Sequence, residues 1–304
     1  MRQETGGENI MRKRMIQQLL SNETWKSGRW KKCFGLLLAC SVITLTFDGS
    51  VYAAASGENQ ITAIGEVNRL SSEFDDDEDE KIIPPDDRVE VKNTKKAPFK
   101  YVGRLGYKGG AGFGTGALIG RKTVLTAAHC VYGEEANIKR LRFYPGQNEM
   151  ESPFGEYEIA EIHIPPKYIA ACKLKNEEER RRYDYAVVTL KKSLSEDHGY
   201  FQLGGDGTSL DRTGIENLSL GLIGYLGSYG GMYRQASKEH FFRYESFTLR
   251  YMMDTDNGQS GSPVYRMKNG KYYIVAVHIR GSVNGNGGRY LDSTVKSYIR
   301  KYMK

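Results

Sequence analysis

From Tyr101 onward, apolar residues fall into short runs or alternations broken by Gly, Asn and Pro. This is the spacing of strands that bury a face and then turn back. Gly116 to Ile119, Val124 to Ala128, Tyr185 to Leu190, Leu218 to Tyr225 and Phe247 to Met252 are such runs. Pro263 to Met267 and Lys271 to Val277 flank Lys268-Asn269-Gly270, where Asn-Gly supplies the positive-φ residues of a tight hairpin turn. After Asp292 and Ser293, either of which suits a helix N-cap, Val295, Tyr298, Ile299, Tyr302 and Met303 recur at helical spacing. The pattern predicts an all-β sandwich or barrel body closed by an amphipathic C-terminal helix, with no internal repeat.

The N-terminal part follows other rules. Lys31 and Lys32 lead into the apolar stretch Phe34 to Phe47, and Ala53-Ala54-Ala55 then offers a small-residue cleavage site, so residues 1–55 are predicted to be a secretory signal. The stretch is shorter than the roughly 20 residues of a spanning helix, which argues against a stable membrane anchor. Residues 56–80 carry 9 acidic against 1 basic side chain and end in Asp75-Asp76-Asp77-Glu78-Asp79-Glu80. Such a run repels itself and stays solvated, as a removable acidic propeptide would. The body, 81–304, carries 35 basic against 24 acidic residues. With 39% hydrophobic and 27% charged residues the chain has material for a sizeable core, and 35 Gly with 21 Tyr lean towards strands and turns. Glu177-Glu178-Glu179-Arg180-Arg181-Arg182 reads as an exposed charged loop or helical turn with no function of its own.

Three places carry chemistry. Gly258-Gln259-Ser260-Gly261-Ser262-Pro263 brackets a serine with glycines, which lets the backbone turn sharply, expose the hydroxyl and aim successive amides at one point. Thr126-Ala127-Ala128-His129-Cys130 puts a histidine just beyond a strand, among small residues. Asp184 opens the apolar run Tyr185-Ala186-Val187-Val188, where a carboxylate needs a specific donor if it is buried. An imidazole N–H is such a donor. A base oriented by a carboxylate and facing a hydroxyl is the constellation for acyl transfer, and His, Asp, Ser is one of its known chain orders.

Together with Ile82-Ile83-Pro84-Pro85-Asp86-Asp87-Arg88, Tyr183-Asp184-Tyr185, Met253-Asp254-Thr255 and Ala276-Val277-His278, these places make residues 81–304 resemble the trypsin-like serine proteases. More narrowly they resemble the bacterial glutamyl endopeptidases, which are secreted as proenzymes. The resemblance implies two packed six-stranded antiparallel β-barrels, the first over about 96–195 and the second over about 200–292, with the C-terminal helix over about 293–304. It implies that His129, Asp184 and Ser260 are catalytic, that the amides of Gly258 and Ser260 form the oxyanion hole, and that Ser260 rather than Ser262 is the nucleophile. A glutamate side chain would be met by Thr255 and His278. The α-amino group of Lys81, freed by cleavage after Glu80, would be a third donor, and Gln259 replaces the aspartate through which trypsin's new terminus acts. The implied protein is an extracellular monomer acting after glutamate, and more weakly after aspartate, on proteins or peptides with acidic residues. The same fold with toxin-like narrow specificity, or a catalytically silent surface-binding protein, are the other readings.

The basic body attracts acidic partners at long range. No zinc-finger spacing, RRM-like aromatic signature or basic helix points to nucleic acid. His163, His198 and His240 lack metal-ligand spacing, so neither metal nor cofactor is expected. Cys130 and Cys172 are either one disulfide of an exported protein or two thiols; the resemblance implies that Gly114 stands near where the usual partner of Cys130 would fall, so the family's histidine-loop disulfide is not expected.

Overall fold

The computed structural model describes residues 82–83, 85–110, 112–204, 219–227, 231–236, 242–282 and 285–304. The signal, the acidic run, Lys81 and His240 lie outside the described residues.

The strands are β1 (Val89–Glu90), β2 (Val102–Tyr107), β3 (Gly112–Leu118), β4 (Thr123–Thr126), β5 (Leu141–Pro145), β6 (Tyr157–His163), β7 (Ala186–Leu190), β8 (Gln202–Leu203), β9 (Gly221–Tyr225), β10 (Met232–Ala236), β11 (Phe242–Glu245), β12 (Thr248–Tyr251), β13 (Pro263–Lys268), β14 (Lys271–Arg280) and β15 (Asn286–Tyr290). Among the described residues three α-helices accompany them: α1 (Pro166–Leu174), α2 (Glu177–Arg182) and α3 (Ser293–Tyr302). Six strands close into a barrel in the order β2-β3-β4-β7-β6-β5. The other nine form a sheet in the order β1-β10-β9-β13-β14-β15-β12-β11, with β8 added parallel to β14. The protein is thus mostly β, with two strand-built halves.

The hairpin expected at Asn269-Gly270 joins β13 and β14. Both residues have positive φ, 50° and 72°, and Lys268 pairs directly with Lys271. Of the two candidate caps for α3, Asp292 is the one used, its Oδ1 accepting from Val295 N at 2.9 Å. Val295 and Ile299 face the core, and Tyr298 packs edge-on against Tyr185 with ring centroids 5.5 Å apart. The chain end is tied to the first barrel, where Thr123 Oγ1 donates to Lys304 O at 2.9 Å.

The main apolar core runs through both halves, from Leu105, Val124, Phe143 and Val188 to Ile223, Tyr225, Ile274 and Leu291. A seam filled with apolar side chains fixes the halves to each other, and the loops along it meet in one geometry. His198 is buried, its Nε2 2.7 Å from Lys100 O, and His163 stacks on Tyr302 at 4.1 Å. Both histidines are therefore accounted for by packing.

Candidate active site

Strands β4 and β7 pair antiparallel, with Thr126 opposite Ala186. The residue three positions past the end of one therefore meets the residue two positions before the start of the other. These are His129, on the 3-10 turn Ala128–Cys130, and Asp184. Asp184 is 5% exposed and takes two donors from the same histidine. His129 N donates to Oδ1 at 3.0 Å, and Nδ1 lies 2.7 Å from Oδ2. Gripping backbone and ring together fixes the imidazole's orientation and leaves Nε2 facing away from the carboxylate. Burial alone would lower the imidazole's pKa. The adjacent Asp184 carboxylate, helped by Cys130, outweighs that and holds it well above the ordinary 6.5.

Ser260 lies in the turn between β12 and β13. Gly258 and Gly261 on either side have φ of 96° and 86°, which L side chains rarely adopt. Space is short as well: a Cβ on Gly261 would sit 2.1 Å from Thr115 O, and one on Gly258 would sit 2.3 Å from Gly227 N. The turn can approach its neighbours this closely only because both residues are glycine. Thr115 of β3 is the residue it approaches. Its N–H donates to Ser260 O at 2.8 Å, its Oγ1 donates to Gly258 O at 2.8 Å, and the same oxygen accepts from Tyr225 N at 3.0 Å. From the other side, Gly261 N donates to His278 O and His278 N to Ser262 O, both at 2.9 Å. Ser260 lines one cleft with His129 and Asp184, whereas Ser262 is fully buried.

Thr255 and His278 are both fully buried. Thr255 Oγ1 finds no hydrogen-bond partner among the described residues, which is costly unless a ligand completes it. His278 Nδ1 is 2.5 Å from Tyr251 Oη. Tyr251, fully buried on β12, is a contributor that sequence reasoning missed. Asp254 is 1% exposed and accepts from Ile83 N at 2.6 Å and Asp87 N at 3.2 Å. Burial raises its pKa against the opposing help of those two amides. Gln259 Oε1 accepts from Arg88 Nη1 at 3.2 Å and Asp256 N at 2.9 Å. The segment after Lys81 is thus fastened to the serine turn through main-chain amides and Arg88.

Cys130 and Cys172 are both free thiols, so the suggested bridge between them is not formed. A Cβ on Gly114 would lie 2.8 Å from Cys130 Sγ, so the missing partner's place is real and filled by a glycine hydrogen. The charged run expected to have no role is α2, and it brings Arg180 and Arg181 to the cleft, where they meet Arg280. Its proximity in sequence to Asp184 was the signal available.

Over 259 residues the chain is 26% identical to a glutamyl endopeptidase of Bacillus licheniformis, covering 80% of this chain and 77% of that one. It is 25% identical over 253 residues to a protein of Bacillus subtilis named extracellular metalloprotease, covering 81% and 77%. Among the described residues no group of three or more His, Cys, Asp or Glu is placed to hold a metal ion. A solved structure of a Glu endopeptidase in complex with MPD superposes with a TM-score of 0.58 at 25% identity, covering 72% of this chain and 98% of the other. The Trypsin family model matches residues 88–302. That match spans most of the chain and both strand-built halves, and this protein belongs to the trypsin family of serine proteases.

Proposed function

We propose that the protein is a secreted endopeptidase that cleaves after glutamate by way of an acyl-enzyme. The observation that carries this reading is the grip of Asp184 on both the ring and the backbone of His129, beside Ser260 in one cleft. Ser260 Oγ attacks the peptide carbonyl and His129 Nε2 accepts its proton. The imidazolium so formed is stabilised by Asp184 and returns the proton to the leaving amine. Water then attacks the acyl-enzyme by the same route in reverse. The amides of Gly258 and Ser260 receive the oxyanion. At the pocket, Thr255 Oγ1 donates to the substrate carboxylate together with His278 Nε2, the ring nitrogen opposite the Tyr251 contact. Cleavage after Glu80 frees Lys81, whose α-amino group adds a positive charge there. The similarity to glutamyl endopeptidases supports the specificity, and the apolar stretch ending in Ala53-Ala54-Ala55 supports export.

The test is a set of initial rates on peptides differing only at the residue before the scissile bond, with processed wild type, Ser260→Ala and Thr255→Val. A glutamate-dominated profile is expected, with activity abolished in Ser260→Ala. In Thr255→Val the glutamate preference should fall about tenfold or more, the usual loss when a hydrogen-bond donor to a charged ligand group is removed. Normal turnover by Ser260→Ala would overturn the nucleophile. A profile indifferent to glutamate would overturn the pocket.

A further inference from the structure

The serine turn is gripped from a distant part of the chain. Asp86-Asp87-Arg88 ends where β1 begins, and Val89 and Glu90 pair with Arg234 and Tyr233 of β10, which fixes the backbone beside Arg88. The Arg88 side chain is 6% exposed. Its Nε and Nη2 donate to the two oxygens of Asp86 at 3.0 and 2.8 Å, and Nη1 donates to Gln259 Oε1 at 3.2 Å. A guanidinium is planar, so a fork held along one edge by a carboxylate leaves Nη1 aimed in a set direction. Gln259, 1% exposed, is the residue between Gly258 and Ser260. Its Oε1 also accepts from Asp256 N at 2.9 Å, and its own N–H donates to Asp256 O at 3.0 Å. The peptide groups that carry the Gly258 and Ser260 amides are held at their carbonyl ends. Asn257 O accepts from Gly227 N at 2.7 Å, and Gln259 O accepts from Ser262 N at 2.9 Å. In a planar peptide the N–H points away from the C=O, so these bonds set the direction of both amides. Gly258 has no side chain and that of Ser260 is the proposed nucleophile, which leaves Gln259 as the place where the span between the two amides can be gripped.

We infer that Arg88 is a positioning residue for the oxyanion hole: through Gln259 it holds the Gly258 and Ser260 amides at the separation and angle that a developing oxyanion needs. The inference rests on the acyl-transfer reading above and adds a residue far from the reacting atoms to it. Two donors aimed at one point stabilise charge well because they need no rearrangement as it develops, and that advantage fades when either turns away. The positive charge of Arg88 strengthens its bond to the neutral amide oxygen of Gln259. The side chain it grips is packed as well as bonded, since a Cβ on Gly224 of β9 would come within 3.2 Å of Gln259 Cγ. Arg88 acts on the turn and not on the substrate, so its effect belongs in kcat rather than in binding.

Kinetics and hydrogen exchange together test the inference. Arg88→Met keeps the apolar stem and removes the donors. On a glutamyl peptide its kcat should fall about tenfold, less than the roughly 10²–10³ for deleting an oxyanion donor outright, with KM changed by no more than about twofold. Arg88→Lys, which can still offer one charged donor, should restore part of kcat. Gln259→Met should cost about as much as Arg88→Met, and the double variant no more than either single change, because both act through one contact. Should Arg88→Met not fold, Arg88→Lys and Gln259→Met carry the same comparison. Amide exchange followed by mass spectrometry on Ser260→Ala protein needs no turnover. There Arg88→Met should speed exchange across 256–262 and leave β2 and β3 unchanged. A loss carried by KM, additive losses in the double variant, or unchanged exchange across 256–262 would each overturn the inference. If wild type hydrolyses no peptide while exchange across 256–262 still depends on Arg88, the acyl-transfer reading falls and the hold of Arg88 on the turn stands.

Discussion

Asp184 and Asp254 are both buried carboxylates, one preceding β7 of the first barrel and one preceding the serine turn, and each accepts hydrogen bonds from two donors. Their donors differ. Asp184 takes one amide and one titratable ring from a single residue, so its charge is coupled to a proton that can move. Asp254 takes two amides from the segment 83–87, so its charge is coupled to where that segment lies. A buried charge always needs donors, and the kind of donor decides whether the carboxylate serves chemistry or shape. Asp254 stands immediately before Thr255, so the segment is fastened next to a residue of the proposed pocket.

That contrast can be broken most severely at Asp184. Asp184→Asn should keep the fold, since the amide oxygen can still accept one bond, yet lower kcat by about 10⁴-fold through loss of the imidazole's correct orientation and tautomer. Stopped assays with matched circular dichroism check both halves of that statement.

The pH dependence sharpens the contrast. In the proposed mechanism His129 is a base only when neutral, and its pKa is raised, so kcat/KM should climb about tenfold per pH unit and level off only above 6.5. The linkage runs the opposite way. The pairing of imidazolium with Asp184 stabilises the fold fully below 6.5 and is lost as pH rises through the elevated native value. Activity therefore appears over the window in which this contribution to stability fades. In Asp184→Asn the acid limb of the residual activity should move to lower pH, and an unmoved limb would assign it to another group.

The smallest effect is expected at the other carboxylate. Asp254→Asn leaves one of the Ile83 and Asp87 amides without its acceptor, for about 1–2 kcal/mol. Melting should drop by roughly 2–8 °C for a body of this size, with kcat far less affected than in Asp184→Asn. A loss of kcat comparable with that of Asp184→Asn, without a drop in melting temperature, would show that the two carboxylates do not divide the work as described.

The parts legible in the sequence were those written locally. Asn269-Gly270 forms its hairpin because positive φ is a property of those two residues, and Asp292 caps α3 from three positions away. His129, Asp184 and Ser260 stand out because each flanks a strand with a recognisable pattern. Thr115 and Tyr251 left no such trace. Thr115 acts on residues 143 and 110 positions away and lies in a glycine-rich strand that reads only as a strand. Helix α1 was also missed, because its buried Tyr168 and Ala171 form no stripe, although Pro166 at its first turn was a usable signal. Strands β1 and β8, two residues each, exist only through their neighbours.

Thr115 also decides what can be separated from what. The carbonyl of Ser260 is held by an amide from the first barrel, and the carbonyl of Gly258 by a hydroxyl from the same residue. A fragment cut between β7 and β9 that carries Ser260 would lack the donors that set its turn, and one that carries Thr115 would lack the turn itself. Peptide hydrolysis would then report on fragment reassembly, since the shape of the Ser260 turn is written across the seam and held by neither half alone.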